Sequence, residues 1–463
     1  MHLFEYQHVK TLPSSFDVVQ CESHLQKLWE GRYAFGLENE SQYEFKRDTE
    51  QKFLKFGNTN LTAGKYAGVI RTANETIHVY PKIFDTDTHR ALVSTDANFS
   101  SYVFSHILWW MSYSKRIRLP KTFSSFDTTG SDFLEVLMYF FAYYTDELVN
   151  NYSFNDYTLV EEELSMVRGR IMFNEYISNI GQGNWHKVPC EFSQFQHDNT
   201  LNQIILYVTK LLYPFTKEEK TRRLLDNILH QLSEVTSRHI TMNDCDKVHL
   251  NPLYEEYAVV LDYCRMFLSN SEVSTSKDDI SVFSFLVNTE SLFEDFINGL
   301  LTKNKSEINI REILPQKKGY LGKQRFSSVE SFHVKLDYLI EMNNGSKIIA
   351  DAKYKKIYAS RTESDANFGI SNIDVFQMIS YSYRKDINRI FLFYPEYAAN
   401  EKKVIHHQFD LLDADNKEKI SLDALTLPVI MDYDEFQKDK SINELFEGTE
   451  KRLIEFFKTI LVQ

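Results

Sequence analysis

What this 463-residue sequence has little of narrows its chemistry first. It holds four cysteines, Cys21, Cys190, Cys245 and Cys264, and no two of them form a CxxC pair. That spacing excludes the common structural zinc sites. Scattered thiols in so long a chain fit a reducing compartment. No G-x-x-x-x-G-K-[ST] occurs, so the chain has no P-loop and is expected to bind no nucleotide of its own. No run reaches the ~18 apolar residues of a membrane span. The opening MHLFEYQHVKTLPSSFD lacks the basic and apolar regions of a signal peptide. We therefore expect a soluble, cytoplasmic protein with no membrane contact. Glycine (15) and proline (9) are scarce, so long disordered linkers are not expected. Positive charge is also short: 52 basic residues against 65 acidic ones leave a net −13. Any contact with nucleic acid must then use a local basic patch. The acidic balance suits a protein partner.

What is present is apolar bulk. The chain is 43% hydrophobic with 35 Phe and 27 Tyr, enough for about three domains of ordinary size. Phe4 to Lys10 reads as a strand, Cys21 to Trp29 as a helix, and EFKRDTEQKFLKF as an amphipathic helix. Tyr66 to Thr72 and Thr76 to Tyr80 alternate like the arms of a hairpin turning at Ala73-Asn74-Glu75, and Pro81 ends the second arm. From Asn98 to Asn150 the signal turns helical, with near-continuous apolar content that fits buried helices of a bundle. Further helices are expected over Glu218–Glu234 and Tyr254–Leu268. His186, His197 and Asp198 match no ordinary ligand spacing, so no metal is assigned to them. The polar run NSEVSTSKDD, residues 270–279, is the natural boundary. We divide the chain into a β-rich region (1–95), a helical middle region (96–270) and a C-terminal domain (280–463).

The C-terminal domain is organised around VKLDYLIEMNNGSKIIADAKYKK, residues 334–356. Lys335 to Met342 and Ser346 to Tyr354 read as strands joined at Asn344-Gly345, a strong hairpin signal. Side chains alternate along a strand, so Asp351 and Lys353 share a face. Asp337 lies on the partner strand, on a face that the pairing register decides. An Asp followed by Asp-x-Lys on the next strand is what metal-dependent phosphodiester cleavage requires. Two carboxylates suit Mg²⁺, which takes oxygen ligands. A lysine orients water and offsets charge on the phosphate.

Around that hairpin, NTESLFEDFINGLLTK reads as a helix capped by Asn288 or Thr289. Its phase puts Glu294 at the rim of the apolar stripe and points Asp295 away. Gln316 to Arg325 reads as a basic loop whose Lys317, Lys318, Lys323 and Arg325 are candidates for phosphate-backbone contact on double-stranded DNA. Gln377 and Tyr381 stand one helical turn apart on a helix over Ser371–Arg384. Strands follow at Arg389–Tyr394, Lys403–Leu411 and Lys419–Val429, then a helix over Ser441–Leu461.

These segments, in this order, resemble the McrC family, the nuclease subunits of McrBC-type modification-dependent restriction systems. The resemblance rests on AGKYAGVIRTANETIHVYPKI, VRGRI at 167–171 and EFSQFQHDNTLNQI at 191–204. It continues through LFEDF at 292–296, LDYLI with IIADAKYK, DVFQMISY at 374–381, and IFLFYPE. It implies a multidomain α+β chain, mixed hairpins and helices followed by a PD-(D/E)xK restriction-endonuclease-like α/β domain. Residues 1–270 would dock on an McrB-like AAA+ GTPase hexamer, which would bring the nucleotide site and recognition of 5-methylcytosine. Asp337, Asp351, Lys353 and Glu294 would be catalytic. The Ala352 carbonyl would join Asp337, Asp351 and Glu294 around Mg²⁺, and Gln377 and Tyr381 would support the site. Leu336 stands where the motif's name has Pro. The few cysteines speak against iron–sulfur relatives of the same nuclease fold. The alternatives are a stand-alone RecB-like exonuclease and a non-catalytic scaffold that activates an AAA+ GTPase.

Overall fold

A computed structural model describes residues 1–9, 12, 16–31, 50–57, 60–72, 75–114, 133–269, 271–273, 280–325, 330–361, 365–400, 404–412, 418–437 and 442–462. The contacts divide the chain into two units, Met1–Phe133 with Ser281–Gln463, and Leu134–Ile280. The first unit is thus built from both ends of the chain. This differs from the three consecutive segments that composition suggests.

Its first sheet sets side by side β1 (His2–Phe4), β2 (Tyr66–Thr72), β3 (Thr76–Tyr80) and β4 (Ile280–Asn288), in the order β1-β3-β2-β4. β4 pairs antiparallel with β2 from Val282↔Thr72 to Asn288↔Tyr66, so strands more than 200 residues apart share one ladder. Leu25, Trp29, Phe53, Tyr66, Ile70 and Leu286 form the core beneath it. The expected strand over Phe4–Lys10 is interrupted: Tyr6 adopts φ 63°, and a second short strand resumes at His8–Val9. The expected helix through EFKRDTEQKFLKF ends in a strand, Leu54–Phe56, paired to Leu61–Ala63; residues 44–49 lie outside the described residues. The hairpin arms Tyr66–Thr72 and Thr76–Tyr80 fall where the alternation puts them, while Ala73 and Asn74 lie outside the described residues.

Helix α1 (Ala97–Tyr113) explains why the early chain joins the late one. It packs on α2 (Thr289–Lys303) through Trp109 and Phe296, whose ring centroids are 4.9 Å apart, and Trp110 and Phe296, 5.6 Å apart. Gly299 permits the approach: a Cβ there would sit 2.2 Å from the Tyr113 carbonyl oxygen. The Tyr102 hydroxyl donates to the Met431 carbonyl at 2.7 Å, and the Met431 N–H donates to His106 Nε2 at 3.0 Å.

The second sheet is six-stranded and mixed. Its strands are β5 (Ile310–Lys323), β6 (Glu330–Met342), β7 (Lys347–Ala352), β8 (Arg389–Pro395), β9 (His406–Leu412) and β10 (Glu418–Leu427), in the order β5-β6-β7-β8-β10-β9. β7, β8 and β10 run parallel, and the other pairs are antiparallel. Helix α3 (Asn372–Lys385) covers one face, where Met378 and Tyr381 share a core with Ile349, Ile390 and Leu392. Helix α4 (Ile442–Val462) meets Phe393 through Phe457, ring centroids 5.4 Å apart. The segment read as a basic loop, Gln316 to Arg325, is strand through Lys323, because β5 pairs with the whole of β6 as far as Lys323↔Glu330. Pro315 fits there because β5 is an edge strand.

The second unit holds helices Thr200–Leu212, Glu219–Gln231 and Tyr257–Ser269 around a core that includes Ile204, Val208, Leu225 and Val260. It also carries a three-stranded antiparallel sheet (Asp156–Leu164, Val188–Gln196, Arg170–Ile171) and a helix, Phe173–Gly181, none of whose residues is buried. Asp198 accepts from Gln203 at 2.7 Å and from the Thr236 hydroxyl at 2.5 Å, a structural role. Among the described residues no helix is long and apolar enough to cross a membrane.

Candidate active site

The turn between β6 and β7 sets the register that the sequence leaves open. The Met342 N–H donates to the Ser346 carbonyl and the Gly345 N–H to the Met342 carbonyl, both at 2.9 Å. Gly345 has φ 84°. This is a three-residue loop, Asn343 to Gly345, with glycine in the left-handed position, lying between the two strand ends that the sequence places at Met342 and Ser346. Asn344 closes it by accepting from the Ser346 N–H at 2.9 Å. The pairing runs Glu341↔Lys347, Ile340↔Ile348, Leu339↔Ile349 and Tyr338↔Ala350. One step further along the same register, Asp337 stands opposite Asp351. Directly opposed residues share a face, so the loop length brings the two carboxylates together.

Both are withdrawn from water, Asp337 at 8% exposure and Asp351 at 1%. Asp337 Oδ2 accepts from the Ala352 N–H at 3.1 Å. Among the described residues neither oxygen of Asp351 has a donor at hydrogen-bonding angles, and its contact is ionic: Lys353 Nζ lies 2.5 Å from Oδ2. Lys353 is placed by its own backbone, whose N–H donates to the Phe393 carbonyl at 2.8 Å beyond the end of β7. Burial pushes the Asp337 carboxyl well above the usual carboxylate range, and the charges of Asp351 and Glu294 push it the same way. For Lys353, burial disfavours the ammonium. The charge of Asp351, with those of Asp337 and Asp374, outweighs it and raises the group above its ordinary value.

Helix α2 begins as its sequence dictates. Asn288 is the cap, accepting from the N–H groups of Glu290 (3.1 Å) and Ser291 (3.3 Å). Tyr338, whose side chain alternates away from that of Asp337, donates its hydroxyl to the Glu294 carbonyl at 2.7 Å. Glu294 is half-buried, and its charge acts on Asp337. Asp295, expected to point away, is half-buried as well. On α3, Gln377 Nε2 donates to the Tyr381 hydroxyl at 2.8 Å, and the charges of Asp351, Asp337 and Lys353 all act on that hydroxyl. Lys317, Lys318 and Lys323 are on β5, but their side chains lie outside the described residues; Arg325 is exposed.

Three groups near the pair escape a reading of the sequence. Asp374, 5% exposed, receives Lys355 Nζ at 2.8 and 3.1 Å. The buried Tyr394 hydroxyl has no hydrogen-bond partner among the described residues and feels the charges of Asp374 and Asp351. Tyr338 ties α2 to β6. Strand alternation could not place Lys355, because the strand ends at Ala352 and the chain bends at Lys355.

Among the described residues no group of three or more His, Cys, Asp or Glu side chains is gathered to hold a metal. The chain offers a buried pair instead. Two carboxylates that repel in a dry setting, one of them without a neutral donor, are a donor set that a hard divalent cation fits.

Comparison with known proteins gives the family and the fold of the chain. The model of the McrBC 5-methylcytosine restriction system component family matches residues 61–395, well over half of the chain. A refined half-complex from a tetradecameric assembly of Thermococcus gammatolerans McrB AAA+ hexamers with bound McrC contains a similar chain. That chain is 17% identical, with a TM-score of 0.65 over 98% of this chain and 99% of that one, so the two share a fold. A chain of the cryo-EM structure of the Thermococcus gammatolerans McrBC complex is 16% identical over 66% of this chain and 87% of its own. Its TM-score is 0.48, which carries no argument. No curated protein matches the chain. On the extent of the family match, the chain belongs to the family of McrBC 5-methylcytosine restriction system components.

Proposed function

We propose that this chain is the Mg²⁺-dependent DNA endonuclease subunit of a GTP-dependent restriction complex that cleaves modified foreign DNA, including phage DNA carrying 5-methylcytosine. The observation that carries the reading is the buried Asp337–Asp351 pair with the Lys353 ammonium 2.5 Å from Asp351. Asp337, Asp351, the Ala352 carbonyl and Glu294 would hold Mg²⁺. When bound, the ion would offset charge on the scissile phosphate and ease deprotonation of the attacking water. The chain's own residues do the rest. Lys353 orients the water for in-line attack and adds positive charge beside the pentavalent phosphate. Glu294 orients the same water from the helix side. Gln377 and Tyr381 fix the protein wall beside Asp351. The cations of β5 and Arg325 supply the local positive charge that a chain of net −13 needs to hold a phosphate backbone.

The partner would be an AAA+ GTPase. The half-complex whose chain shares this fold consists of McrB AAA+ hexamers with bound McrC. The second unit carries a surface suited to such docking. Phe173, Ile177 and Ile180 form a stripe on the Phe173–Gly181 helix and are 66%, 66% and 50% exposed. Tyr157 and Phe195 pair across the adjacent sheet, rings 5.2 Å apart and 70% and 55% exposed. Exposed apolar side chains gathered on a helix face and in a ring pair favour interaction surfaces.

The test is cleavage of methylated plasmid with Mg²⁺, with and without the partner and GTP. Cleavage should need all components, and Asp351→Asn should lower the rate at least about a hundredfold, the loss of several kcal/mol of metal-borne stabilisation. The variant should still stimulate the partner's GTP hydrolysis. Normal nicking by Asp351→Asn would overturn the site. Cleavage by the chain alone would favour a free-standing nuclease. GTPase stimulation without any cleavage would favour a scaffold.

A further inference from the structure

We propose that the Lys355–Asp374 ion pair is a positioning device of the active site, a clamp that fixes α3 against the chain segment carrying Lys353. The inference rests on the nuclease reading of Asp337, Asp351 and Lys353. Four observations carry it. First, the segment after β7 is not held by a ladder throughout. The Lys353 N–H still pairs with Phe393, but the chain bends at once, with the Lys355 N–H donating to the Lys353 carbonyl at 2.8 Å. A bend two residues past a reacting side chain needs an anchor if that side chain is to hold its place. Second, Lys355 reaches back to Asp374, both oxygens within 3.1 Å. The lysine side chain is 43% exposed and the aspartate 7%. A carboxylate so withdrawn from water is retained only with a partner, so the pair is anchored on the aspartate's side. Third, Asp374 lies in the first turn of α3, where the helix N-terminus favours negative charge. Gln377 and Tyr381 follow on the same helix, and the charges of Asp351 and Lys353 act on Tyr381. Fourth, Asp374 acts on Lys353 as well as Lys355, so one buried acid addresses both lysines.

Without the pair, α3 and the Lys353 segment would keep their packing but lose their fixed spacing. A displacement of about 1 Å at a reacting group costs on the order of a hundredfold in rate. A half-exposed pair in otherwise intact packing should cost less, about tenfold.

The experiment uses the full chain with its AAA+ partner, GTP, Mg²⁺ and methylated plasmid. Lys355→Met, Lys355→Arg, Asp374→Asn and the double variant Lys355→Met/Asp374→Asn are compared with Asp351→Asn. Asp374→Asn leaves a half-exposed lysine that water can solvate, so it guards against a variant that fails to fold. Both single losses should lower kcat about tenfold with KM for DNA unchanged. The double variant should match the singles rather than multiply them, as residues acting as one unit do. Lys355→Arg should restore most of the rate. Amide hydrogen exchange over 372–385 should rise in Lys355→Met and Asp374→Asn but not in Asp351→Asn. Unchanged kcat in both single variants, with Asp351→Asn inactive, would overturn the clamp while sparing the nuclease reading. A raised KM with normal kcat would also overturn it, by making Lys355 a contact to DNA. Normal cleavage by Asp351→Asn would overturn the nuclease reading and this inference with it.

Discussion

Glu5 is the sharpest place to perturb this fold by pH. It is 3% exposed, accepts from the Thr289 hydroxyl at 2.5 Å and accepts from the Lys82 N–H at 2.7 Å. Thr289 begins α2, where the helix N-terminus favours an anion by ~0.3–1 kcal/mol. Burial is the larger effect and pushes the carboxyl up from 4.5 to about 7, against the two hydrogen bonds and the nearby Lys82 charge, with Glu290 adding a little upward. A raised folded-state value means that the folded chain keeps a proton which the unfolded chain releases between about pH 4.5 and 7. Stability is therefore greatest below that window, falls as pH rises through it, and is lowest above it. The gap from 4.5 to about 7 corresponds to about 3 kcal/mol. Glu5→Gln keeps the shape without the charge. The Gln oxygen can accept from the Lys82 N–H, and the Thr289 hydroxyl can turn to accept from the new NH₂. Urea unfolding of both chains at pH 5, 6, 7 and 8 reads the effect. The variant's advantage over the wild type should be under about 1 kcal/mol at pH 5 and grow to about 3 kcal/mol at pH 8. A difference that stays constant with pH would refute burial as the dominant cause.

Other outcomes follow from the same geometry. Glu294→Gln should lower plasmid cleavage tenfold or more (on the order of a lost charge-assisted contact), and Asp295→Asn should not; equal losses would show that the two half-buried acids share one role. Gly299→Ala should lower stability by about 1–3 kcal/mol through the clash with the Tyr113 carbonyl, seen as a lower Tm, and an unchanged Tm would show that α1 and α2 can separate freely. Residues 281–463 expressed alone should fail to unfold cooperatively, whereas 1–133 joined by a linker to 281–463 should melt as one unit; a cooperative melt of the short fragment would contradict the shared β2–β4 ladder.

Much of the hairpin that carries the carboxylate pair was legible because its signals are local. Alternation put Asp351 and Lys353 on one face, and Asn344-Gly345 marked the turn within a residue. The register was not legible, because it depends on whether the loop has two residues or three, and glycine serves in both. The second half of β5, from Gln316, reads as a loop because its lysines and glycines show no clean alternation, and only pairing with β6 makes it extended. EFKRDTEQKFLKF failed for a related reason: Leu54, Lys55 and Phe56 fit a helix period until the neighbouring strand at Leu61–Ala63 claims them. Asp374 and Lys355 stand nineteen positions apart and each resembles a surface charge. Nothing in either segment alone announces that one is buried.

The domain division failed on long-range grounds, and that failure bears on how the site is held. Composition changes at residues 270–279 and a boundary there looks complete, yet the ladder, the helix packing and three buried polar contacts all reach across it. His24 meets Ser284 at 2.9 Å, Glu5 meets Thr289, and Tyr102 meets Met431. Each joins a residue in the first 110 to one after 280. The helix that carries Glu294 therefore starts from a strand completed by β2, is capped beside Glu5, and is packed by α1. The sheet that carries Asp337 and Asp351 is locked to that helix by the Tyr338 hydroxyl. A change near the amino terminus thus has a continuous packed route to the carboxylate pair. The inserted residues 134–280, which carry the exposed apolar stripe, form the part of the chain whose own core is separate. On the proposed function, docking on the partner would fall to the inserted unit and cutting to the discontinuous one, rather than to an N-terminal and a C-terminal half.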